Sequence, residues 1–411
     1  MESRAVNRRL LSADESPLGI WHFPHEAIEA EKEINVEIKS TSRFRQLDSL
    51  RGISAVFVML HHFVWTRFDT QSHRPQMPQS FWIGLESLHL LFSGWESVVF
   101  FFVLSGVVLT VSIPKRHPLR YGHYVLHRVC RIYLPYLFSL FVAIVGCSLF
   151  HDRIPTWTPW VTAIWTHTPR FEEILIHILF LGTYYQKFNT VYWSLIIELR
   201  ISLLLPFLIL AIRRIGLRLA LWLVAAMTLA DACASRVIDL DCSVVIADWA
   251  RTAHYALFFI YGIMAMLHWE EVEQLILGLG KTSRLGLFLL SVFTCYYLPV
   301  FLNKSLLRTY CNFEFVIAIG ATTIVCLAIH DETLAEILTR RPLIWLGRIS
   351  YSLYLIHMIV MLSLAALLGS RISYICIFFL AVGVSLISAE AMARYVERPS
   401  QLLGRRIDAV P

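Results

Sequence analysis

The sequence predicts an all-α fold, a polytopic membrane bundle of about ten transmembrane helices. Hydrophobic residues make up 57% of the 411 residues and charged residues only 16%, whereas soluble domains carry about a quarter charged residues. Apolar runs recur along the chain, and each is close to the roughly 20 residues that a membrane-spanning helix needs. The aromatic content of 13% excludes a disordered chain. A soluble globular enzyme is excluded by the same composition.

Ten apolar runs mark the predicted spans. They lie at 49–66, 94–113, 129–150, 191–212, 217–234, 249–267, 284–302, 313–330, 348–369 and 372–393. Residues 1–45 are predicted to form a cytosolic tail, 46–400 the membrane domain and 401–411 a second cytosolic tail. The polar start and end of the chain suit the cytosolic side of an integral membrane protein.

The positions of the positive charges set the predicted topology. With both termini in the cytosol, the inner segments hold 25 of the 36 Lys and Arg residues and the outer segments hold 10, in agreement with the positive-inside rule. If the weaker apolar stretch at 174–185 also crossed, Arg213, Arg214 and Arg218 would lie outside. We therefore expect 174–185 to be a re-entrant or interfacial helix.

The first predicted span carries ionisable side chains, which are costly inside a membrane and are functional candidates for that reason. Arg51 and His62 are 11 residues apart, so they share one helix face with a rise of about 16 Å between them. His62 would lie beyond mid-membrane, where a histidine can act as a general base. The alternative is a histidine buried for packing, and His61, about 100° away, fits that description.

Paired arginines follow the second span. Arg128 and Arg131 are three residues apart in HYVLHRVCRIYLP, on one helix face at the inner membrane boundary. Two guanidinium groups so placed suit phosphate binding, although ordinary positive-inside charge is an alternative. The net charge of +6 fits an anionic membrane surface, and no separate basic block points to nucleic acid. The eight cysteines show no CxxC pair, so no metal site is predicted.

Polar residues also share a face in the fourth and ninth spans. Ser194 and Glu198 are four residues apart in VYWSLIIELR and therefore lie on one side of a helix. Glu198 would lie roughly 10 Å from the outer end, a depth similar to that of the first-span histidine. Ser350, Tyr354 and His357 form a stripe in GRISYSLYLIHMIV. These groups would orient an acceptor or support a base.

Two smaller patterns favour structural roles. In FFVLSGVVLT, Ser105 and Gly106 are small residues that let membrane helices pack closely. Cys242 and Cys311 fall in predicted loops on one side of the membrane, and a disulfide between them is a weak expectation. Neither pattern points to chemistry.

Taken together, the motifs resemble the acyltransferase-three family of integral membrane acyltransferases, over about residues 46–400. QLDSLRGISA with the following histidine is similar to the family's first-span signature, and FFVLSG to its second-span motif. RVCRIYLP is similar to its paired arginines, and WSLIIE to its Trp-Ser-Leu-x-x-Glu element. ISYSLYLIH resembles its Ser-Tyr-Ser-x-Tyr-x-x-His element, and YVERP its closing Glu-x-Pro.

The resemblance implies an enzyme that acylates a hydroxyl of a sugar, lipid or natural product with acyl-CoA, most often acetyl-CoA, and holds no cofactor. It implies His62 as the catalytic base, Arg51 as its companion, and Arg128 and Arg131 near the CoA phosphates. Glu198 would orient the acceptor or support the base. The compact chain most resembles fungal members that modify secondary metabolites, which would place it in the endoplasmic reticulum membrane.

Two alternatives remain open at the level of sequence. A transporter or flippase would also suit ten spans, since intramembrane His and Glu residues can couple transport to protons. Such a protein has no need for paired arginines that bind CoA phosphates. Within the enzyme hypothesis, transfer would be direct or would pass through an acyl-histidine. The sequence names neither the acceptor nor the oligomeric state.

Overall fold

The computed structural model is built from α-helices and loops, and its described residues contain no β-strand. The structure describes residues 44–67, 84, 87–113, 120–181, 186–234, 244–299 and 314–408. Almost all of the predicted N-terminal tail, together with Cys242 and Cys311, lies outside these ranges. The all-α prediction is confirmed.

The helices follow one another along the chain with short connections. The first seven are α1 Arg45–Arg67, α2 Gly94–Ser112, α3 Tyr121–Arg128, α4 Leu134–Phe150, α5 Pro159–Thr162, α6 Phe171–Ile178 and α7 Tyr192–Ala234. The remainder are α8 Val244–Leu267, α9 Trp269–Leu277, α10 Lys281–Val292, α11 Glu314–His330, α12 Glu332–Leu338, α13 Arg341–Leu368, α14 Tyr374–Met392 and α15 Arg398–Asp408. Short π-helical segments, called π-turns below, occur at Val129–Tyr133, Phe293–Tyr297 and Ala393–Glu397.

Several of these helices are long and apolar enough to cross a membrane. Among the described residues there are six: Gly94–Ser112, Tyr121–Arg153, Tyr192–Gly216, Ala247–Leu267, Arg341–Leu368 and Tyr374–Arg406. Counting α9 with α10 and α11 with α12 as two bent spans gives eight. Helix α1 is not among them, because Arg51, His61 and His62 lower its hydropathy. A multi-pass membrane protein is therefore supported, and the number of ten stays a prediction.

Two glycines bring α1 and α13 into close backbone contact. A Cβ atom added at Gly52 would lie 2.5 Å from the Gly347 amide nitrogen, and one added at Gly347 would lie 2.4 Å from the Asp48 carbonyl oxygen. Both distances are shorter than any real Cβ contact, so only glycine allows the two backbones to meet here. Ten residues further along each helix, His62 meets His357. The two helices are therefore parallel.

The parallel packing of α1 and α13 limits the number of membrane crossings between them, and therefore whether the stretch at 174–185 can cross. Two parallel spans are separated by an odd number of crossings, and the ten predicted spans place seven between the first and the ninth. One more crossing would make α1 and α13 antiparallel. In addition, α6 has eight residues, or about 12 Å, too few to span a bilayer. The part of 174–185 that is described agrees with a re-entrant or interfacial helix.

Other helix boundaries differ from the sequence expectation. The third span does not begin at 129, because α3 extends the helix back to Tyr121 through a π-turn. The predicted tail at 401–411 is helical as far as Asp408. A Cβ atom at Gly404 would lie 3.2 Å from the Cys130 Cβ atom, so α15 packs against the helix that carries the arginines. Packing between these two ends orders polar sequence that hydropathy alone assigns to a tail.

Gly106 confirms the close packing predicted for the second span. A Cβ atom there would lie 2.2 Å from the Phe259 carbonyl oxygen, and one at Gly262 would lie 2.2 Å from the Val103 carbonyl oxygen. The two glycines thus bring α2 and α8 together from both sides. In α7, Gly216 breaks the helix with φ 74°, a value in the region that favours glycine.

The glycine crossing predicts a specific sensitivity to one methyl group. We expect Gly347→Ala to lower stability by about 1–3 kcal/mol, because the added Cβ meets backbone atoms that cannot rotate away. Thermal unfolding of the purified protein in detergent measures this. Gly383→Ala is the matched control, since a Cβ there would meet no atom within 4 Å. Equal melting temperatures for the two variants would contradict the crossing.

The topology predicts which introduced cysteines are accessible from each side. We expect a cysteine at Ser283, at the start of α10, to react with an impermeant maleimide from the cytosolic side only. A cysteine at Thr156, an exposed position between α4 and α5, should react from the opposite side only. Mass spectrometry of labelled membrane vesicles, sealed in either orientation, measures both reactions. Labelling of both positions from one side would show that the topology is wrong.

Candidate active site

Helices α1 and α13 place His62 beside His357. His62 Nδ1 lies 2.8 Å from His357 Nε2, and the two ring planes are within 10° of parallel. His357 is fully buried. The ring of Tyr354, one turn earlier in α13, has its centroid 6.2 Å from that of His357. The structure therefore brings together two histidines that the sequence placed on separate spans.

The hydrogen bonds of His357 determine which nitrogen of His62 is basic. His357 Nδ1 lies 3.0 Å from the Leu353 carbonyl oxygen, and a carbonyl can only accept. A neutral His357 thus carries its proton on Nδ1 and accepts at Nε2, so the Nδ1–H of His62 must be the donor. These tautomers, assigned from the hydrogen-bond network, leave the lone pair on His62 Nε2.

Trp160 stacks on the ring of His62 and was missed by sequence reasoning. The two ring centroids are 5.6 Å apart and the planes are 20° from parallel. Trp160 lies in the short helix α5, which Thr158 caps at its start, and no periodic pattern marks so short an element. His61 faces elsewhere, as expected, with Nδ1 2.6 Å from the Phe92 carbonyl oxygen.

The fourth and ninth spans meet through a hydroxyl pair. The hydroxyl oxygens of Ser194 and Tyr354 are 2.6 Å apart, and both side chains are buried. Ser194 donates to the Val191 carbonyl oxygen, so Tyr354 is the donor to Ser194. Ser350 instead donates to the Gly347 carbonyl oxygen of its own helix at 2.9 Å. Of the predicted stripe, Ser350 therefore lies with the helix crossing rather than with the hydroxyl pair.

Glu198 lies one helical turn after Ser194 in α7. Its Oε1 accepts a hydrogen bond from Ser105 Oγ at 3.2 Å, and its charge acts on both Arg128 and Tyr354. Within the described part of the chain, the hydrogen bonding of Glu198 leads to Ser105 rather than to His62. Ser105, for which the sequence favoured a structural role, thus also binds Glu198 through its hydroxyl.

The arginines converge at the first π-turn. Arg128 immediately precedes Val129–Tyr133, and Arg131 lies within it. Arg128 Cζ is 5.8 Å from the centroid of the Tyr124 ring, and its buried Nε atom has no hydrogen-bond partner among the described residues. Arg51 and Arg131 are close enough for their charges to act on Arg128. The charge of Glu198 acts on Arg128 in the opposite direction, so positive charge is concentrated here next to one carboxylate.

A buried polar network anchors the segment before α7. Burial lowers the pKa of His177 in α6 to about 4, so this side chain is neutral at physiological pH, and its Nδ1 lies 3.2 Å from the Tyr136 hydroxyl. Further along, Asn189 donates its side-chain amide to the Leu355 carbonyl oxygen at 2.8 Å. Leu355 precedes His357 by two residues, so this contact holds the stretch of α13 that carries the histidine.

Comparison with known proteins identifies the fold family. A family model described as an acyltransferase domain matches residues 44–390. The chain belongs to the acyltransferase-three family. It is 24% identical over 382 residues to the O-acetyltransferase PaAT-1 of Phomopsis amygdali, an alignment that covers 79% of this chain and 73% of that protein. No solved structure matches the chain.

All the predicted site residues of this membrane acyltransferase lie inside the matched range, from Arg51 at one end to His357 at the other. The final π-turn and α15 lie beyond its end. In the part of the chain that the structure describes, no group of three or more His, Cys, Asp or Glu side chains is arranged to hold a metal ion. The described side chains at the site include histidines, hydroxyls, the carboxylate of Glu198 and arginines.

Proposed function

We propose that the protein transfers an acyl group, most simply acetyl, from acyl-CoA to a hydroxyl of a small natural product, glycan or lipid. Family membership and the O-acetyltransferase relative support this reaction. The single observation that carries the proposal is the hydrogen bond between His62 and His357. This hydrogen bond leaves the lone pair of His62 Nε2 available inside an apolar bundle. The hydroxyl groups of Tyr354 and Ser194 lie nearby.

His62 Nε2 removes the proton from the acceptor hydroxyl while that oxygen attacks the thioester carbonyl carbon. The resulting imidazolium keeps its Nδ1–H bond to His357 Nε2, as an orienting partner does in a catalytic triad. The tetrahedral intermediate then expels the CoA thiolate, which takes the proton from His62. Transfer is direct in this scheme, and no acyl-enzyme forms.

The donor enters from the cytosolic side, and Arg128 and Arg131 hold its phosphates. Guanidinium groups bind phosphate through paired N–H donors, and the buried, unpartnered Nε atom of Arg128 is one such donor. Arg51 adds positive charge at the same place. From there to His62, helix α1 rises about 16 Å, a path that the long pantetheine arm of CoA would follow to bring its thioester to the base.

The acceptor occupies the space around the histidine pair. Tyr354 and Ser194 supply hydroxyl groups there, and Trp160 supplies an apolar wall over His62. Glu198 accepts a hydrogen bond from an acceptor hydroxyl or keeps Arg128 in place through its charge. An apolar site with few polar groups suits a hydrophobic alcohol, and an endoplasmic reticulum location would give access to such a substrate.

The proposed base predicts a strong contrast between two adjacent histidines. We expect His62→Gln to reduce kcat by about 10²- to 10⁴-fold, because the side chain keeps its size but cannot accept the proton. His61→Gln, whose parent side chain faces Phe92, should stay within about twofold. Steady-state acyl transfer by purified protein measures both. Near-normal turnover by His62→Gln would move the base elsewhere, and stable labelling of the protein by radioactive acetyl-CoA would indicate an acyl-histidine route.

The donor site predicts an effect on KM rather than on kcat. We expect Arg128→Ala and Arg131→Ala each to raise the KM for acyl-CoA about tenfold or more, since a charge-assisted hydrogen bond contributes roughly 1.5–3 kcal/mol to binding. Arg153→Ala, at the other end of the same long helix, is the matched control. Binding of CoA and of dephospho-CoA separates the contacts to individual phosphates. Unchanged acyl-CoA binding by both variants would refute the phosphate assignment.

Metabolite profiling of a deletion strain identifies the acceptor. The expected result is the loss of one ester and the accumulation of its free alcohol, and restoration of the ester by the intact gene but not by the His62→Gln variant. Loss of a compound from the cell interior without any change in acylation would instead indicate transport.

A further inference from the structure

One buried carboxylate near the arginines has no role in the proposed transfer. Glu397, at the end of the π-turn Ala393–Glu397, is only 9% exposed. Its Oε2 accepts a hydrogen bond from Ser352 Oγ at 2.7 Å, and its Oε1 accepts one from Gln401 Nε2 at 3.0 Å. The charge of Arg131 also acts on it. Burial of a carboxylate is destabilising unless hydrogen bonds and an opposite charge compensate, and these groups supply both.

Neighbouring residues of α13 connect Glu397 to the arginine site. Ser352 holds the carboxylate, and Tyr351 donates its hydroxyl to the Ile132 carbonyl oxygen at 2.7 Å. Ile132 is the residue after Arg131 in the π-turn Val129–Tyr133. Helix α13 therefore bonds to both π-turns through two consecutive side chains.

Helix α15 follows the π-turn Ala393–Glu397 and packs against the segment that contains the π-turn Val129–Tyr133. A Cβ atom at Gly404 would lie 3.2 Å from the Cys130 Cβ atom and 3.3 Å from His127 Nδ1. The helix that follows Glu397 thus lies directly on the helix that precedes Arg131. The end of the chain, which is beyond the matched family range, belongs to the surroundings of the donor site.

We propose that Glu397 is a positioning residue for the acyl donor. Its carboxylate, fixed on α13 by the hydrogen bond from Ser352, acts on Arg131 through its charge and favours the position of that guanidinium group. His357 lies five residues further along α13, about 7.5 Å along the axis. Glu397 thereby sets the distance between the donor's phosphates and the histidine pair. The inference rests on the proposed function, because it requires Arg131 to bind acyl-CoA.

Neutralising the carboxylate at constant size tests this role. Glu397→Gln is expected to raise the acyl-CoA Kd and KM roughly 3- to 30-fold, the range typical of coupled neighbours, with kcat within about twofold. Glu390→Gln is the matched control, because that carboxylate also joins α14 to α13, through Arg348 and Trp345, but at an exposed position. The control should bind acyl-CoA as the unmodified protein does.

A double-mutant cycle with Arg131 separates positioning from general stability. If Glu397 acts through Arg131, Glu397→Gln changes the Kd by less than about twofold once Arg131 is alanine. Equal, additive effects in both backgrounds would overturn the proposal. If Arg131→Ala alone leaves acyl-CoA binding unchanged, the donor site itself is wrongly assigned, which is a failure of the proposed function.

A second variant covers the outcome in which Glu397→Gln does not fold. Ser352→Ala removes one hydrogen bond to the carboxylate and keeps its charge, so it should raise the acyl-CoA Kd by a smaller factor, and only when Arg131 is present. Thermal unfolding without ligand shows whether each variant is folded. A folded Ser352→Ala variant with unchanged Kd and KM, at normal turnover, would also overturn the proposal.

Discussion

The close crossing of α1 and α13 is the constraint on which the site depends. Gly52 and Gly347 let two backbones approach to distances that any side chain would prevent. Because the helices run in the same direction, they are still in contact ten residues later, where the two histidines form a hydrogen bond. Helix α13 also contacts Ser194, the segment before α7, and the π-turns Val129–Tyr133 and Ala393–Glu397. One helix pair therefore fixes the position of most groups in the site.

Several of the described charges form ion pairs within the protein, whereas Arg128 and Arg131 form no such pair among the described residues. Arg200 pairs with Asp248 at 2.8 Å, and Arg284 with Asp331 at 2.9 Å. These pairs compensate each other within the protein, as buried charges must. Arg128 has two other arginines among its electrostatic neighbours. The charge of Glu198 also acts on Arg128, and the phosphates of the proposed acyl-CoA donor would compensate the remaining positive charge.

Two π-turns lie close to the arginines of the proposed donor site. A π-turn inserts an extra residue into a helix and changes the direction of the side chains within it. One such turn contains Arg131 and another ends at Glu397. Tyr351 and Ser352 bond to the two turns from adjacent positions. Both π-turns, where the helices depart from regular α-helical geometry, are therefore hydrogen-bonded to the same part of α13.

The composition and the apolar runs predicted the fold class, which is confirmed, and the helical spacing predicted candidate site residues. Composition and apolar runs required a helical membrane bundle, since a chain so poor in charge cannot be a soluble domain. Spacing along single helices placed Arg51 with His62 and Ser194 with Glu198, because residues on one helix face follow from a fixed periodicity. Tertiary structure decided which faces meet. His62 pairs with His357, and Trp160 stacks on the His62 ring. Ser105 donates a hydrogen bond to Glu198, and Ser350 donates one within its own helix. These contacts join residues up to 295 positions apart, and no local periodicity reports on the packing that brings them together.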